Sequence, residues 1–214
     1  MIQPAILAAA MLALFTPASQ ALMIGDTVIV KDTGVSPSRT VKIGVDGFYT
    51  GNTYAGVIKL VVGGVAMDGF CIDPWHFSSP NPLTYKAVPI TQAPKSPGTM
   101  NAGQAQLIGA LLALAYSPAM GADAAAALQL AIWEVVGGDD FTLLSANDYG
   151  AAALLASAKT YSGPLPNLIG LTGPGQDYVV QVPPKVPDGG FTVLLLGVSL
   201  VGIAFVRSRL ASAS

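Results

Sequence analysis

Near residue 100 the sequence changes character. Before it, "DTVIVKD" (Asp26–Asp32), "RTVKIGV" (Arg39–Val45), "YAGVIKLVV" (Tyr54–Val62) and "VAMDGFCID" (Val65–Asp73) are short, β-branched and bounded by turn residues. After it, "NAGQAQLIGALLALAY" (Asn101–Tyr116), "ADAAAALQLAIWEVV" (Ala122–Val136) and "NDYGAAALLASAKTY" (Asn147–Tyr161) place apolar residues at helical spacing. "DYVVQV" (Asp177–Val182) then reads as a closing strand. Strands, helices and a last strand predict an α+β fold: a β-rich half, sandwich or barrel-like, with a helical subdomain of about three helices.

Local signals mark the element ends. "TGVSPS" (Thr33–Ser38) reads as a turn between the first two strands, and Gly63-Gly64 as a hairpin turn. Alternation puts Met67, Gly69, Cys71 and Asp73 on one face and Asp68, Phe70 and Ile72 on the other. Cys71 therefore points toward a groove or a packed helix if Phe70 and Ile72 enter the core. Asn101 is a candidate N-cap, and Gly137-Gly138 a C-terminal stop. "GPLPNLIGLTGPG" (Gly163–Gly175) reads as loop.

Both ends are apolar. Ile6–Phe15 followed by "TPASQA" has the pattern of a signal peptide over 1–21, cleaved after Ala21, although no Lys or Arg precedes the apolar run. Phe191–Val206 lacks charge and is followed by Arg207 and Arg209, which predicts a transmembrane helix and basic tail over 191–210. A stiff "PPKVP" linker precedes it, so residues 183–190 read as linker and sorting motif, and 22–182 as a single body. "VPDGGFTVLLLGVSLVGIAFVRSRL" resembles the PEP-CTERM sorting signals, with Val186, Pro187, Asp188, Gly189 and Gly190 as the motif. The resemblance implies an exosortase-type membrane protease as partner and membrane tethering through the C-terminal helix. It also implies delivery to the cell surface or extracellular matrix of a Gram-negative-type bacterium.

Setting aside Arg207, Arg209 and Asp188 leaves eight basic and eleven acidic residues, a net charge of −3. With no basic stripe, nucleic-acid binding has no electrostatic footprint. "FCIDPWHF" (Phe70–Phe77) holds the chain's one cysteine and one histidine. In an oxidising compartment cysteines usually pair, so a lone Cys71 implies an intermolecular bridge, a reactive thiol, a thiol already used, or an inert buried side chain. Gln129, in the apolar "LQLAIW", is one helical turn from Trp133 and must place its amide somewhere. It can bond backbone carbonyls of a neighbouring loop or lie in solvent. It can also acylate Cys71, with loss of ammonia, to give a thioester. Such a bond needs near-attack geometry, donors for the oxyanion and exclusion of water. Trp133 and the aromatics Phe70, Trp75 and Phe77 are candidate shields, or ordinary core.

"FCIDPWHF", followed by Gln129 in "LQLAIW", resembles the thioester domains of bacterial surface adhesins, with the same order of helix, proline turn and helix. The resemblance covers about Met67 to Asp140. It maps the family's bond-forming cysteine onto Cys71 and its glutamine onto Gln129, though the family pattern has Thr or Ser where this chain has Leu128. It implies covalent attachment, in cell adhesion or a biofilm matrix, to a surface or matrix protein or polymer bearing amines. His76 is a candidate base or transient acyl acceptor, and Asp73 a candidate to orient His76 or a backbone amide. No cofactor is expected. A cysteine hydrolase would need Cys71, His76 and an orienting residue in an arrangement not recognised as nucleophilic, and one Cys with one His does not make a tetrahedral zinc site. The chain is therefore not read as an enzyme. The alternative is a noncatalytic matrix or scaffold protein that keeps the fold without the bond.

Overall fold

The computed structural model describes residues 21–95 and 98–183. The sorting motif, the C-terminal apolar segment and all of the signal peptide except Ala21 lie outside the described residues. Among the described residues no helix is long and apolar enough to cross a membrane.

Among the described residues seven strands and three α-helices make a mixed α+β fold with one large antiparallel sheet. The strands are β1 (Thr27–Val45), β2 (Tyr49–Val62), β3 (Val65–Cys71), β4 (Leu83–Pro89), β5 (Phe141–Leu143), β6 (Leu168–Thr172) and β7 (Tyr178–Gln181). The helices are α1 (Ala102–Ala115), α2 (Ala122–Gly137) and α3 (Ala151–Lys159). The sheet order is β2-β3-β7-β6-β4-β1-β5, and β1 also pairs with β2. That extra pairing closes six strands into a barrel, which leaves no free edge around the ring. β1 and β2 are longer than their barrel neighbours. Their outer halves, Ser38–Val45 against Tyr49–Gly56, continue as a ribbon to which β5 adds a third strand.

β1 corrects the sequence reading at "TGVSPS". The segment is not a turn between two strands but the middle of one 19-residue strand. β2 pairs with both halves, and two register shifts, between Asp32 and Val35 and between Val35 and Ser38, absorb the extra residues. Gly34 supplies a positive φ of 122° within the irregularity. On β2, Gly56 lets the strands approach, because a Cβ there would collide with Pro37 O and Ser38. Continuous pairing with β2 overrides the local turn chemistry.

The sheet also draws strands from segments the sequence pattern passes over. β6 lies within the stretch read as loop. Gly170 breaks its apolar run, and a Cβ there would stand 2.8 Å from the Ala93 Cβ and 3.3 Å from Val88 Cγ2. The glycine is required by close packing, not by a turn. β6 and β7 sit between β3 and β4, so the ring is completed by the last strands of the body.

The hairpin at Gly63-Gly64 forms as expected, with φ of 56° and 88°. Helix α1 starts with a capping box. The Asn101 side chain accepts from Gln104 N–H at 2.9 Å, and the Gln104 side chain accepts from Asn101 N–H at 3.0 Å. α3 is shorter than its pattern, starting at Ala151 after Gly150 in the left-handed region. α2 is buried almost all round, from Ala125 to Trp133 without a break. It packs on β1 and β2 on one side and on α1 and α3 on the other, so an alanine-rich helix with no polar face suits its place. Gln129, fully buried, is the polar exception in that run.

Candidate functional site

The β2–β3 ladder ends at Ile58–Gly69, where β2 leaves the barrel for the ribbon. β3 continues two residues further, to Cys71. On its other side β3 stays paired: Cys71 is in register with Tyr178, and Ile72 N–H donates to Asp177 O at 3.1 Å. Successive peptide groups on a strand point to alternate sides, so Cys71 turns its N–H and C=O toward the gap that β2 has left. α2 fills that gap with one side chain. Cys71 N–H donates to Gln129 Oε1 at 2.9 Å, and Gln129 Nε2 donates to Cys71 O at 2.8 Å. The carboxamide thus replaces a strand peptide, making both bonds of an antiparallel pair.

The two directions open to Cys71 coincide: it is buried against α2 at the inner end of a cleft. Cys71 is 1% exposed and Gln129 0%. Asp73 N–H lies 3.4 Å from the Cys71 sulfur as a donor. Burial pushes the Cys71 thiol strongly up, and the nearby Asp73 and Asp177 carboxylates push the same way. The Trp133 indole and the Asp73 N–H act against them. Trp133 Nε1, although buried, makes no hydrogen bond.

A cleft of about 130 Å³ reaches this pair from solvent. Cys71, Gln129 and Trp133 form its inner wall, and Asp32, Tyr54, Phe77 and Gln176 stand nearer the outside. Tyr54 and Phe77 are 62% and 64% exposed. Phe77 is braced by Phe48 and Tyr49 from the β1–β2 turn, with ring centroids 5.1 and 5.5 Å away. The cleft is narrow, aromatic at its mouth, and bears an acidic side chain.

The sequence-predicted residues divide in two groups. Cys71, Gln129, Trp133 and Phe77 converge on the cleft. Phe70, Trp75 and His76 do not line it. Phe70 lies on the other face of β3, edge-to-face with Tyr116 at 5.8 Å. Trp75 is half-buried beside Gly137 at the end of α2. His76 is half-exposed, and its Nδ1 shares a 2.7 Å hydrogen bond with Asp73 Oδ2. Asp73 also accepts from Trp75 N–H at 3.2 Å, so it orients both the histidine and a backbone amide. Burial raises the Asp73 carboxyl above its ordinary range, with His76 opposing the shift.

Asp177 is a further buried carboxylate that no sequence pattern singles out. It is 1% exposed, accepts from Lys95 N–H at 2.7 Å and Gly173 N–H at 2.9 Å, and its own N–H lies 3.4 Å from Asp73 Oδ2. Burial pushes its carboxyl up to about 6. Its one sequence signal is an acidic residue directly before an apolar strand, which is also the mark of an ordinary loop end. Among the described residues no group of three or more His, Cys, Asp or Glu is arranged to hold a metal ion.

Fold and site together define a closed antiparallel barrel in which a helical glutamine stands in for a strand peptide against a lone cysteine. Among solved structures the chain is similar to the N-terminal thioester domain of a surface protein from Clostridium perfringens. That likeness has 8% sequence identity and a TM-score of 0.44, and covers 74% of this chain and 100% of that one. No protein-family model matches the sequence, and no curated protein matches it.

Proposed function

We propose that this is an exported surface or extracellular-matrix protein that attaches covalently to an amine-bearing partner through a thioester between Cys71 and Gln129. The reading is supported above all by the Gln129 carboxamide being held at both polar atoms by the Cys71 peptide, at the inner end of a cleft open to solvent. Two hydrogen bonds to one residue fix the amide plane beside the side chain that would attack it. This kind of restraint can replace a large part of the barrier of a bimolecular reaction. The Cys71 N–H already donates to Oε1, the atom on which negative charge develops, and so serves as oxyanion donor.

In bond formation the Cys71 sulfur attacks Gln129 Cδ. A C–S bond forms, the C–N bond to Nε2 breaks, and the nitrogen leaves as ammonia with the thiol proton. In attachment the neutral nitrogen of a partner amine attacks the same carbon. A C–N bond forms, the C–S bond breaks, and the amine proton passes to the sulfur. Asp32 and the Tyr54 and Phe77 rings suit an entering ammonium group, which must lose its proton before attack. His76, held by Asp73 on the segment leading to Phe77, is the candidate base for that proton. Reaction once per molecule makes the protein a reagent, not an enzyme. Export by the N-terminal signal and sorting by an exosortase-type protease, with transient membrane tethering, complete the reading. The amine-bearing partner is then a surface or matrix protein or polymer.

Methylamine is the test. The thioester reading expects uptake of one methylamine at Gln129 with appearance of one alkylatable thiol at Cys71. A protein whose Cys71 is alkylated at the same rate before and after methylamine, with no mass gained at Gln129, refutes it.

One observation favours a second reading. Both polar atoms of the Gln129 amide are satisfied and the thiol is buried, which is also how a structural clasp between strand and helix would look. In that case the protein is a noncatalytic matrix or scaffold protein, and the methylamine result distinguishes the two.

A further inference from the structure

We propose that the Trp133 indole N–H and the Asp73 backbone N–H form a donor pair that holds the Cys71 sulfur as a thiolate whenever its bond to Gln129 is made or broken. The inference rests on the thioester reading and assigns Trp133 a catalytic role there.

The starting point is an anomaly. Trp133 is 3% exposed, and its Nε1 has no hydrogen-bond partner. Leaving a buried donor unmade costs on the order of 1–3 kcal/mol. The Trp133 ring packs in the core, with the Phe141 ring 5.9 Å away between centroids, but that packing does not satisfy the N–H. Trp133 lines the cleft together with Cys71 and Gln129. It sits on α2 one turn after Gln129, so the helix that carries the electrophilic carbon also carries the donor.

The sulfur needs such donors. Both steps of the proposed reaction pass through sulfur bearing negative charge, as nucleophile in bond formation and as leaving group in aminolysis. No lysine or arginine lines the cleft, and its charged lining residue is Asp32. The Asp73 and Asp177 carboxylates are both buried and both unfavourable to a negative charge on the sulfur. With no cation at hand, backbone and indole N–H groups must stabilise the thiolate. Asp73 N–H is already 3.4 Å from the sulfur. Trp133 lines the same cleft as Cys71, and its buried Nε1 has no hydrogen-bond partner. As charge grows on sulfur its value as an acceptor rises, and the idle donor acquires a partner. The interaction is stronger in the charged state than in the ground state, which is the condition for a group to accelerate a step.

The test removes the N–H and keeps the ring. Trp133 is replaced by benzothienylalanine, in which sulfur takes the place of the indole nitrogen, in the full chain. Two quantities are read: the rate of methylamine uptake, and, after methylamine treatment, the pH profile of iodoacetamide alkylation at Cys71. The Cys71 thiol is free in that state whether or not a thioester preceded it. The proposal expects uptake slowed by about tenfold to a hundredfold, the range of one hydrogen bond to a charged group. It also expects the alkylation profile to shift to higher pH. Trp133→Phe, with its fold checked by circular dichroism, should move both readouts the same way. Unchanged uptake and an unchanged profile in the analogue protein overturn the donor assignment while leaving the thioester in place. A shifted profile with no methylamine uptake in any version refutes the thioester and with it the catalytic role.

Discussion

The clasp between Gln129 and Cys71 has a stability consequence that can be measured without any crosslink. The perturbation is Gln129→Leu in a Cys71→Ala background, where no thioester can form. Residue 71 keeps its backbone N–H and C=O, and these now face an apolar side chain of similar size. Each loses its partner at 2.9 and 2.8 Å, in a place with almost no solvent. An unsatisfied buried polar group costs about 1–3 kcal/mol, so the pair amounts to about 2–6 kcal/mol. Water entering through the cleft can satisfy part of this, which puts the expected loss near the lower half of the range, about 2–4 kcal/mol. The assay is equilibrium urea denaturation followed by tryptophan fluorescence, comparing the double variant with Cys71→Ala alone. Amide hydrogen exchange at residue 71 should accelerate as well. A loss below about 0.5 kcal/mol, the ordinary scatter of neutral substitutions, would mean that the amide does not act as a strand partner.

Other outcomes follow from the same structure. Asp177 has a folded-state carboxyl raised to about 6 from 3.8, so the folded protein holds this proton while the unfolded chain has lost it. Stability is then fully present below pH 3.8 and falls as pH rises toward 6, with a limiting slope of about 1.4 kcal/mol per pH unit. Asp177→Asn should flatten that part of the profile in a pH series of thermal melts, and an unchanged slope would refute the assignment. Asn101→Ala removes the reciprocal cap of α1 and should cost about 1 kcal/mol by denaturation, with Asn101→Ser retaining most of it. Gly170→Ala puts a methyl 2.8 Å from Ala93 Cβ and should destabilise by about 1–3 kcal/mol in urea denaturation.

What could be read in advance was what short stretches decide for themselves. The Gly63-Gly64 hairpin, the Asn101 cap and the stop at Gly138 each follow from a few neighbouring residues and a backbone requirement. The problem posed by Gln129 was also legible, because an amide in an apolar helix must find partners whatever the fold. Its partner was less so: a gap between β2 and β3 exists only because β2 turns away to pair with the far half of β1. β1 was misread for the same reason, since its continuity through "TGVSPS" depends on a strand that comes later. β6 was missed because Gly170 answers a contact with Ala93, which is distant in sequence. Asp177 meets Asp73 across 104 residues through the β3–β7 pairing, and no local pattern announces it.

The central claim is that the Cys71 sulfur and the Gln129 carbonyl carbon are joined in the mature protein. Intact mass of the purified body, set beside Cys71→Ala and Gln129→Ala, measures this directly. The account predicts a wild-type mass lower than its sequence by one ammonia, with both variants at their full sequence masses. A wild-type protein at full mass, with Cys71 open to a thiol reagent after unfolding, contradicts it.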